Sequence, residues 1–453
     1  MTILIKKKCY DLSNEIKRVF NMITVTFKTD VFTKKPVAVT WMYTTKQRCL
    51  EIKQIPGKVQ HFAPKEIPLG FYKNPINYYY DTQYNRLRRL YTKPEFSVFE
   101  DNVDFPESDI IAKFEVTVTQ YENKFYNIGV EGLPVEDSLT TTYYPVYVDW
   151  GDGKYTRLAF TGTNYEKLYH KYEMESGIQT ITIYGKCRNL VMTNEPALVS
   201  INLPFDNIEF DNTVSFSGLQ GNVNLKTIPG DIFKNFKNIK SNICNSMFYK
   251  TTSLNPILEE LFFPFKEKIT SCNNTFKQSK GFKIIPDRIF EKNSNLTSCN
   301  GTFSYTDIIT IPASIFKYCH KLSNVANCFR GCTKLLFIPL DLYRYNTKLK
   351  NVSYCYYGCS SIETILESIF LYNTELTNVS YCFYGCNKIK YIPPKIFKFN
   401  KKITNFSYAF ANCTGIVGNV PELWTEFPNA NGEGCFKGCT NAANYNDIPD
   451  NWK

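Results

Sequence analysis

A nine-residue phrase occurs twice in the chain at an interval of 27 residues. NVSYCYYGC begins at Asn351 and NVSYCFYGC begins at Asn378, and eight of the nine letters agree. Ile-Pro dipeptides or their equivalents recur from Ile228 to Ile448 at steps of 26 to 30 residues. A fixed period of about 20–50 residues is typical of stacked repeats, propellers or arrays. More than half of the chain is therefore expected to consist of one repeated unit.

The recurring residues of the unit are of the kinds that a stack of repeats buries. Leucine or isoleucine recurs in one slot and would form a continuous apolar column between stacked units. Asparagine recurs three residues earlier, where its side chain can bond backbone groups that lack ladder partners at a bend. A further position of the unit is aromatic in each repeat, and these side chains are expected to fill the space between units. The asparagines predicted to be structural are Asn346, Asn373 and Asn400.

Cysteine is frequent in the repeated phrase, which holds nine of the 16 cysteines in the chain. Alanine, serine or threonine replaces it in other units, so the slot accepts any small side chain that tolerates burial. We expect free structural thiols, with disulfides between units as the alternative. Zinc is disfavoured because it needs four converging ligands, and many free thiols favour folding in a reducing cytoplasm. The thiols predicted to be structural include Cys328, Cys355 and Cys382.

A glycine-rich turn precedes the repeats in the stretch YVDWGDGKYTRL, which begins at Tyr147. Glycines allow positive φ, and the side chains of Asp149 and Asp152 can bond nearby amides, so a tight structural turn is predicted. Calcium binding by the two aspartates is the alternative. Trp150 is expected to fill the core, and the alternating stretch FEVTVTQ from Phe114 predicts a strand.

Two stretches carry family resemblances. LTNVSYCFYGCNKIKYIP from Leu376 resembles the BspA-like subclass of leucine-rich repeats over residues 191–453, although Cys382 takes the usual Met slot. The WGDG turn, followed by YHKYEMESGIQTITIYG from Tyr169, is similar to PKD-like domains over residues 111–190. These resemblances imply a mainly β chain with short helices. The implied order is a β-rich domain at 1–110, an Ig-like sandwich and a leucine-rich-repeat solenoid with parallel strands.

Catalytic chemistry is disfavoured by the sequence. The chain has three histidines, none with a partner at metal-ligand spacing. It contains no P-loop, nucleophile elbow or HExxH motif. We therefore expect no enzyme, no catalytic residue, no metal and no cofactor.

The sequence also limits the partners. No window approaches about 18 consecutive apolar residues, and the N-terminus lacks a secretory pattern, so no membrane insertion is expected. The formal net charge of +11 is spread along the whole chain, and nucleic acid is not an expected partner. Residues 1–110 match no family and are interpreted as an anchoring or assembly domain, and the chain is expected to form a homo-oligomer.

The family resemblance gives the functional expectation. PKD-like modules joined to BspA-like repeats resemble virion proteins of phages of gut Bacteroidetes, which are made in the host cytoplasm. A virion fibre or decoration protein of head or tail, displaying its repeats for host-surface adhesion, is therefore predicted. Residues 1–110 would then contact other virion proteins. One alternative is a secreted or surface adhesin of the bacterium. A second is a purely structural virion subunit.

One surface is expected to bind a host glycan or protein. In stacked strands, the residue before the Ile of each Ile-Pro points outward if that Ile points inward. This position varies while its neighbours repeat. A covered or simply solvated surface is the alternative. The candidate residues are Phe337, Thr364, Lys390 and Tyr391.

Overall fold

The computed structural model describes residues 107–453 apart from 119–121, 136–142, 159, 161–164, 174–175, 210–217 and 237–238. Within residues 1–106 it describes the backbone of eight strands. The chain divides into two compact parts, one of Met1–Phe105 with Lys154–Arg157, and one of Pro106–Gly153 with Leu158–Lys453. Among the described residues, no helix is long and apolar enough to cross a bilayer.

The first part contains antiparallel strands. They are β1 (Ile23–Lys28), β2 (Ala38–Tyr43), β3 (Arg48–Cys49), β4 (Ile52–Ile55), β5 (Lys58–His61), β6 (Lys65–Glu66), β7 (Ile76–Asp81) and β8 (Arg86–Arg89). One sheet has the order β1-β2-β7-β8, and β3 pairs with β6 and β4 with β5. The predicted role of residues 1–110 in anchoring or assembly lies largely outside the described residues.

Antiparallel sheets also open the second part. Its strands are β9 (Ile110–Val118), β10 (Glu122–Gly132), β11 (Val146–Asp149), β13 (Tyr165–Lys171), β14 (Gly177–Gly185), β15 (Cys187–Met192) and β16 (Leu198–Ile201). The strand between β11 and β13 in the chain, β12 (Tyr155–Leu158), falls almost entirely within the Lys154–Arg157 segment of the first part. One sheet runs β13-β10-β15, and another contains the neighbours β11-β14-β9-β16. Phe114, Val116 and Val118 alternate along β9 and are fully buried, as period-two patterning requires. The prediction of a mainly β chain with short helices is confirmed.

Residues 218–453 are built from turns that repeat, with few helices. The only α-helix among the described residues is α1 (Leu423–Glu426). The 3₁₀-helices are Glu107–Asp109, Glu259–Lys268, Tyr445–Asp447 and Asp450–Trp452. Leu322, Leu349 and Leu376 are fully buried in one core, which extends from Ile111 to Trp452.

The repeat units are joined by parallel bridges of single residues instead of the predicted parallel strands. The bridges form one series, in which each residue pairs with the next: Ser271, Ser298, Asn324, Asn351, Asn378, Asn405 and Asn431. Next to the Ile-Pro dipeptides, the bridges within the described residues are Ser200↔Thr227 and Ile284↔Thr310. Proline has no N–H to donate, so a ladder through the Ile-Pro segments is interrupted in almost every unit.

The bridged phrase forms a backbone ladder with a regular pattern. Alternate N–H groups donate to the next unit: Val325 to Asn351, Asn327 to Ser353, Phe329 to Cys355 and Gly331 to Tyr357, at 2.7–3.0 Å. Other N–H groups between them bond carbonyls three residues earlier in their own unit, as Cys328 bonds Val325 at 3.1 Å. The backbone is therefore satisfied partly within and partly between units, although it does not form extended strands.

Candidate functional site

The glycine-rich turn before the repeats holds both of its aspartates by local contacts. The Gly151 N–H, at φ +76°, donates to Asp149 Oδ1 at 2.8 Å. Burial raises the pKa of the Asp149 carboxyl, although the Gly151 bond opposes the shift. Asp152 Oδ2 lies 2.8 Å from His170 Nε2. Among the described residues, no three His, Cys, Asp or Glu side chains are grouped to hold a metal ion.

Trp150 fills the core beside this turn. Its ring stacks on His170 at 4.7 Å between centroids, and on Phe125 at 6.4 Å. The Tyr172 hydroxyl donates to the Trp150 carbonyl at 3.1 Å. The turn, the histidine and the tryptophan thus form one packed cluster.

The predicted asparagines form a buried column between units. Asn373 donates from Nδ2 to the carbonyls of Tyr343 at 3.0 Å and Asn346 at 2.9 Å, both in the preceding unit. Asn346 and Asn400 make the equivalent pairs of bonds. The Oδ1 atoms of the three have no hydrogen-bond partner within the described part of the chain. Within this column, the amide Nδ2 groups therefore link each unit to the preceding one, in addition to the backbone ladder.

The predicted thiols lie in the same buried interior. Cys328, Cys355 and Cys382 are fully buried, and the 14 described cysteines carry free thiols. Burial raises the pKa of the Cys355 thiol to about 12. A second cysteine of each phrase donates to a carbonyl of the preceding unit, as Cys386 Sγ does to Tyr356 at 3.2 Å. Ser279 makes the same kind of bond to Phe248, which explains why the slot accepts serine.

The predicted binding surface is exposed, and apolar neighbours enlarge it. Phe337 is 46% exposed and Tyr391 52% exposed, and Thr364 and Lys390 are also exposed. Ile284 precedes an Ile-Pro dipeptide and is also exposed, as its position predicts, whereas the exposure of Ile309, Leu336 and Leu340 was not predicted from the sequence. We call the whole set the apolar strip: Ile284, Ile309, Leu336, Phe337, Leu340 and Tyr391.

A stacked tyrosine face was also missed by the sequence analysis. Tyr354 and Tyr381 stack at 4.5 Å, Tyr381 and Tyr408 at 4.8 Å, and each of the three has a φ of 54–57°. Arg330 lies 5.0 Å from the centre of the Tyr354 ring. The repeated letters were sufficient to predict this column. The sequence does not reveal the left-handed backbone that directs these rings outward.

A third set of exposed rings lies two residues after the buried aromatic residue of each Ile-Phe pair or its equivalent. We call it the aromatic edge. It consists of Tyr318, Tyr345, Tyr372 and Phe399, which are 37%, 44%, 38% and 49% exposed. The recurrence of an aromatic letter at this slot in four consecutive units was the signal in the sequence that could have identified it.

No protein-family model, curated protein or solved structure matches the chain. The exposed side chains of the apolar strip and the aromatic edge are therefore the features from which a function can be inferred.

Proposed function

We propose that the chain is a non-enzymatic virion protein, a fibre or decoration protein of head or tail, that displays its repeats to the host surface. In this proposal residues 191–453 are a BspA-like leucine-rich-repeat solenoid and residues 111–190 a PKD-like sandwich. The columns of Leu, Asn, Cys and aromatic side chains support the first assignment. The packed Trp150 turn supports the second.

The exposed apolar strip is the observation that carries the binding role. Exposed apolar patches on soluble proteins commonly mark interaction sites, because they are otherwise an aggregation liability. Phe337 and Leu336 are adjacent in one unit, and Tyr391 lies two units further along the stack. Backbone bonds at this strip also join the units, as Leu336 N donates to the Ile309 carbonyl at 3.1 Å. The strip is therefore presented by fixed backbone.

Adsorption to host cells tests this role. Particles carrying Phe337→Ser and Tyr391→Ser should assemble normally and adsorb less, because the two aromatic rings of the strip are lost while the buried core is untouched. The matched control is Ile178→Ser with Leu203→Ser, which removes two exposed apolar side chains outside the strip. Normal adsorption by correctly assembled double-variant particles would remove the strip as the receptor site.

The location of the chain separates the alternatives. In the virion proposal, an antibody raised against residues 200–453 should label purified particles in electron microscopy. Labelling of intact bacteria without phage would instead support the alternative of a bacterial surface adhesin. Labelled particles that adsorb normally with the strip variant would favour the purely structural virion subunit.

A further inference from the structure

The aromatic edge is supported by a rigid column of buried rings. Phe316, Tyr343, Phe370 and Phe397 stack at 6.0, 6.0 and 5.9 Å in successive units. Each edge ring follows one of these buried rings by two residues in the sequence. The edge therefore presents exposed rings at a regular step, on backbone that is fixed by the core below.

Cationic side chains alternate with the edge rings. Lys317 Nζ lies 5.4 Å from the centre of the Tyr318 ring, and Lys398 Nζ lies 5.4 Å from that of Phe399. Arg344 lies between two units, with its guanidinium 6.0 Å from the Tyr345 ring and 5.3 Å from the Tyr372 ring. Cations near aromatic rings are attracted by the ring electrons. The edge therefore offers a ligand both an aromatic face and a positive charge at each of these positions.

Carboxylates on the same edge neutralise part of this charge. Asp341 accepts a bond from Arg344 at 3.2 Å, and Glu375 pairs with Lys402 at 2.5 Å. Glu426 lies 3.5 Å from Lys401. The edge is thus basic and aromatic but interrupted by acids, unlike the dense basic tracks that bind the closely spaced phosphates of nucleic acids.

We propose that the aromatic edge binds an acidic polysaccharide. Tyrosine and phenylalanine rings offer flat apolar faces for the C–H surfaces of sugar rings, with little conformational freedom to lose. Lysine and arginine can bond the carboxylates or sulfates of such a polymer. A polymer with a repeat along its length suits rings that recur at a regular step. This inference rests on the proposed adhesive function and assigns it a ligand class and a second surface.

Binding of the full-length protein to defined glycans tests the proposal. The probes are a heparin octasaccharide and polygalacturonate, with neutral dextran and a single-stranded oligothymidylate as comparisons. The wild-type protein should bind at least one acidic glycan, and bind dextran and oligothymidylate more weakly. Dissociation constants from biolayer interferometry at physiological salt provide the measurement.

Variants separate ring contacts from general charge attraction. Tyr345→Ser with Tyr372→Ser leaves the net charge unchanged and should weaken glycan binding about tenfold, through lost stacking. Lys317→Gln with Lys398→Gln should also weaken it, and more strongly at low salt. Tyr318→Ser with Phe399→Ser provides a second aromatic pair if the first reduces folding, which circular dichroism checks.

The strip variant Phe337→Ser with Tyr391→Ser distinguishes this inference from the proposed function. Its glycan affinity should equal that of the wild type, because it leaves the edge intact. Three results would overturn the inference: no binding to either acidic glycan, tighter binding to oligothymidylate, or unchanged affinity in both ring variants. A loss of adsorption confined to the strip variant, together with no glycan binding, would leave the adhesive function standing and remove only the edge.

Discussion

Asp307 forms ion pairs with two lysines, one earlier and one later in the chain. Its Oδ2 lies 2.9 Å from Lys283 Nζ and 2.6 Å from Lys334 Nζ. Partial burial alone would raise the pKa of this carboxyl, but the bonds from Lys334 and Lys283 reverse the effect, and its pKa is lowered. The charged form is therefore favoured in the folded protein.

Replacing Asp307 should alter stability in a pH-dependent way. A carboxyl whose pKa is lowered by folding stabilises the protein above its unfolded pKa of about 4, and this contribution is lost as pH falls through the lower folded pKa. Asp307→Asn should cost roughly 0.5–1 kcal/mol at pH 7, with the difference from the wild type shrinking below pH 4. Urea unfolding across pH measures it.

The matched control for Asp307 is another carboxylate that pairs with a lysine of a following unit. Glu363 is a suitable choice, since its Oε1 lies 3.8 Å from Lys388 Nζ and both side chains are largely exposed. Glu363→Gln should change stability little at any pH. A deficit of Asp307→Asn that stays constant from pH 7 to pH 3 would contradict the electrostatic account.

Among the repeated elements, the asparagine slot offers the sharpest test of how neighbouring units are joined. Asn373→Leu removes both amide donors and leaves the carbonyls of Tyr343 and Asn346 without those bonds. The expected loss is about 2–4 kcal/mol in the free energy of unfolding, because buried carbonyls lose partners that water cannot replace. Chemical denaturation monitored by circular dichroism gives the value.

The chain contains its own control for this substitution. Cys319 occupies the equivalent slot of another unit, with its Sγ 4.0 Å from the Phe290 carbonyl. Asn373→Cys should therefore be less destabilising than Asn373→Leu, although leucine is the more apolar side chain. If the leucine variant is the more stable of the two, packing and not hydrogen bonding dominates this slot.

The period of the repeat predicted the buried columns but not the path of the backbone. Residues that recur at one slot must meet similar surroundings, so the burial of Leu349 and Asn373 followed from spacing alone. The ladder lies at the Asn351 phrase and not at Ile-Pro, because pairing depends on which N–H groups are free and on positive φ angles at residues such as Tyr354. The identity of proline accounts for the missing N–H groups at Ile-Pro, but the positive φ angles are not specified by the tyrosine side chains. The recurrence of tyrosine was visible in the sequence, but the left-handed backbone of the stacked tyrosine face was not.

At the scale of the whole molecule, the regular step predicts that one unit can be removed. Deleting residues 351–377 takes out 27 residues and brings Asn378 to the position that Asn351 holds next to Asn324. The shortened chain should fold, because repeats contact mainly their neighbours. Size-exclusion chromatography and circular dichroism would show a compact protein with a similar spectrum.

A deletion of unmatched length is the control. Removing 357–376 deletes only 20 residues and would place mismatched slots in the same column, burying polar residues against apolar ones. This variant should aggregate or fail to fold. Equal behaviour of the two deletions would show that the step of the repeat is not what holds the stack together.

The predicted domain boundaries at 111 and 191 remain predictions, although one connection between the sheets and the repeats is visible. β16 pairs with β9 in an antiparallel sheet, and Ser200 of β16 also forms a parallel bridge with Thr227. β16 thus pairs both with the sheet before it and with the first repeat after it. Such a connection needs no linker and no shift in composition that would mark it in the sequence. This explains why the connection could not be predicted from the chain alone.

The backbone ladder between units also has a mechanical consequence. When a chain built from stacked units is stretched, the load passes through the bonds that join one unit to the next. Here each repeat unit is joined to the next by a short row of backbone hydrogen bonds, such as those from Phe329 N to the Cys355 carbonyl and from Gly331 N to the Tyr357 carbonyl. Tension applied along the chain would break such rows one unit at a time. Each unit released would lengthen the chain by roughly 90 Å. If the chain is the virion adhesin proposed above, its repeats would extend stepwise under load and keep the particle attached.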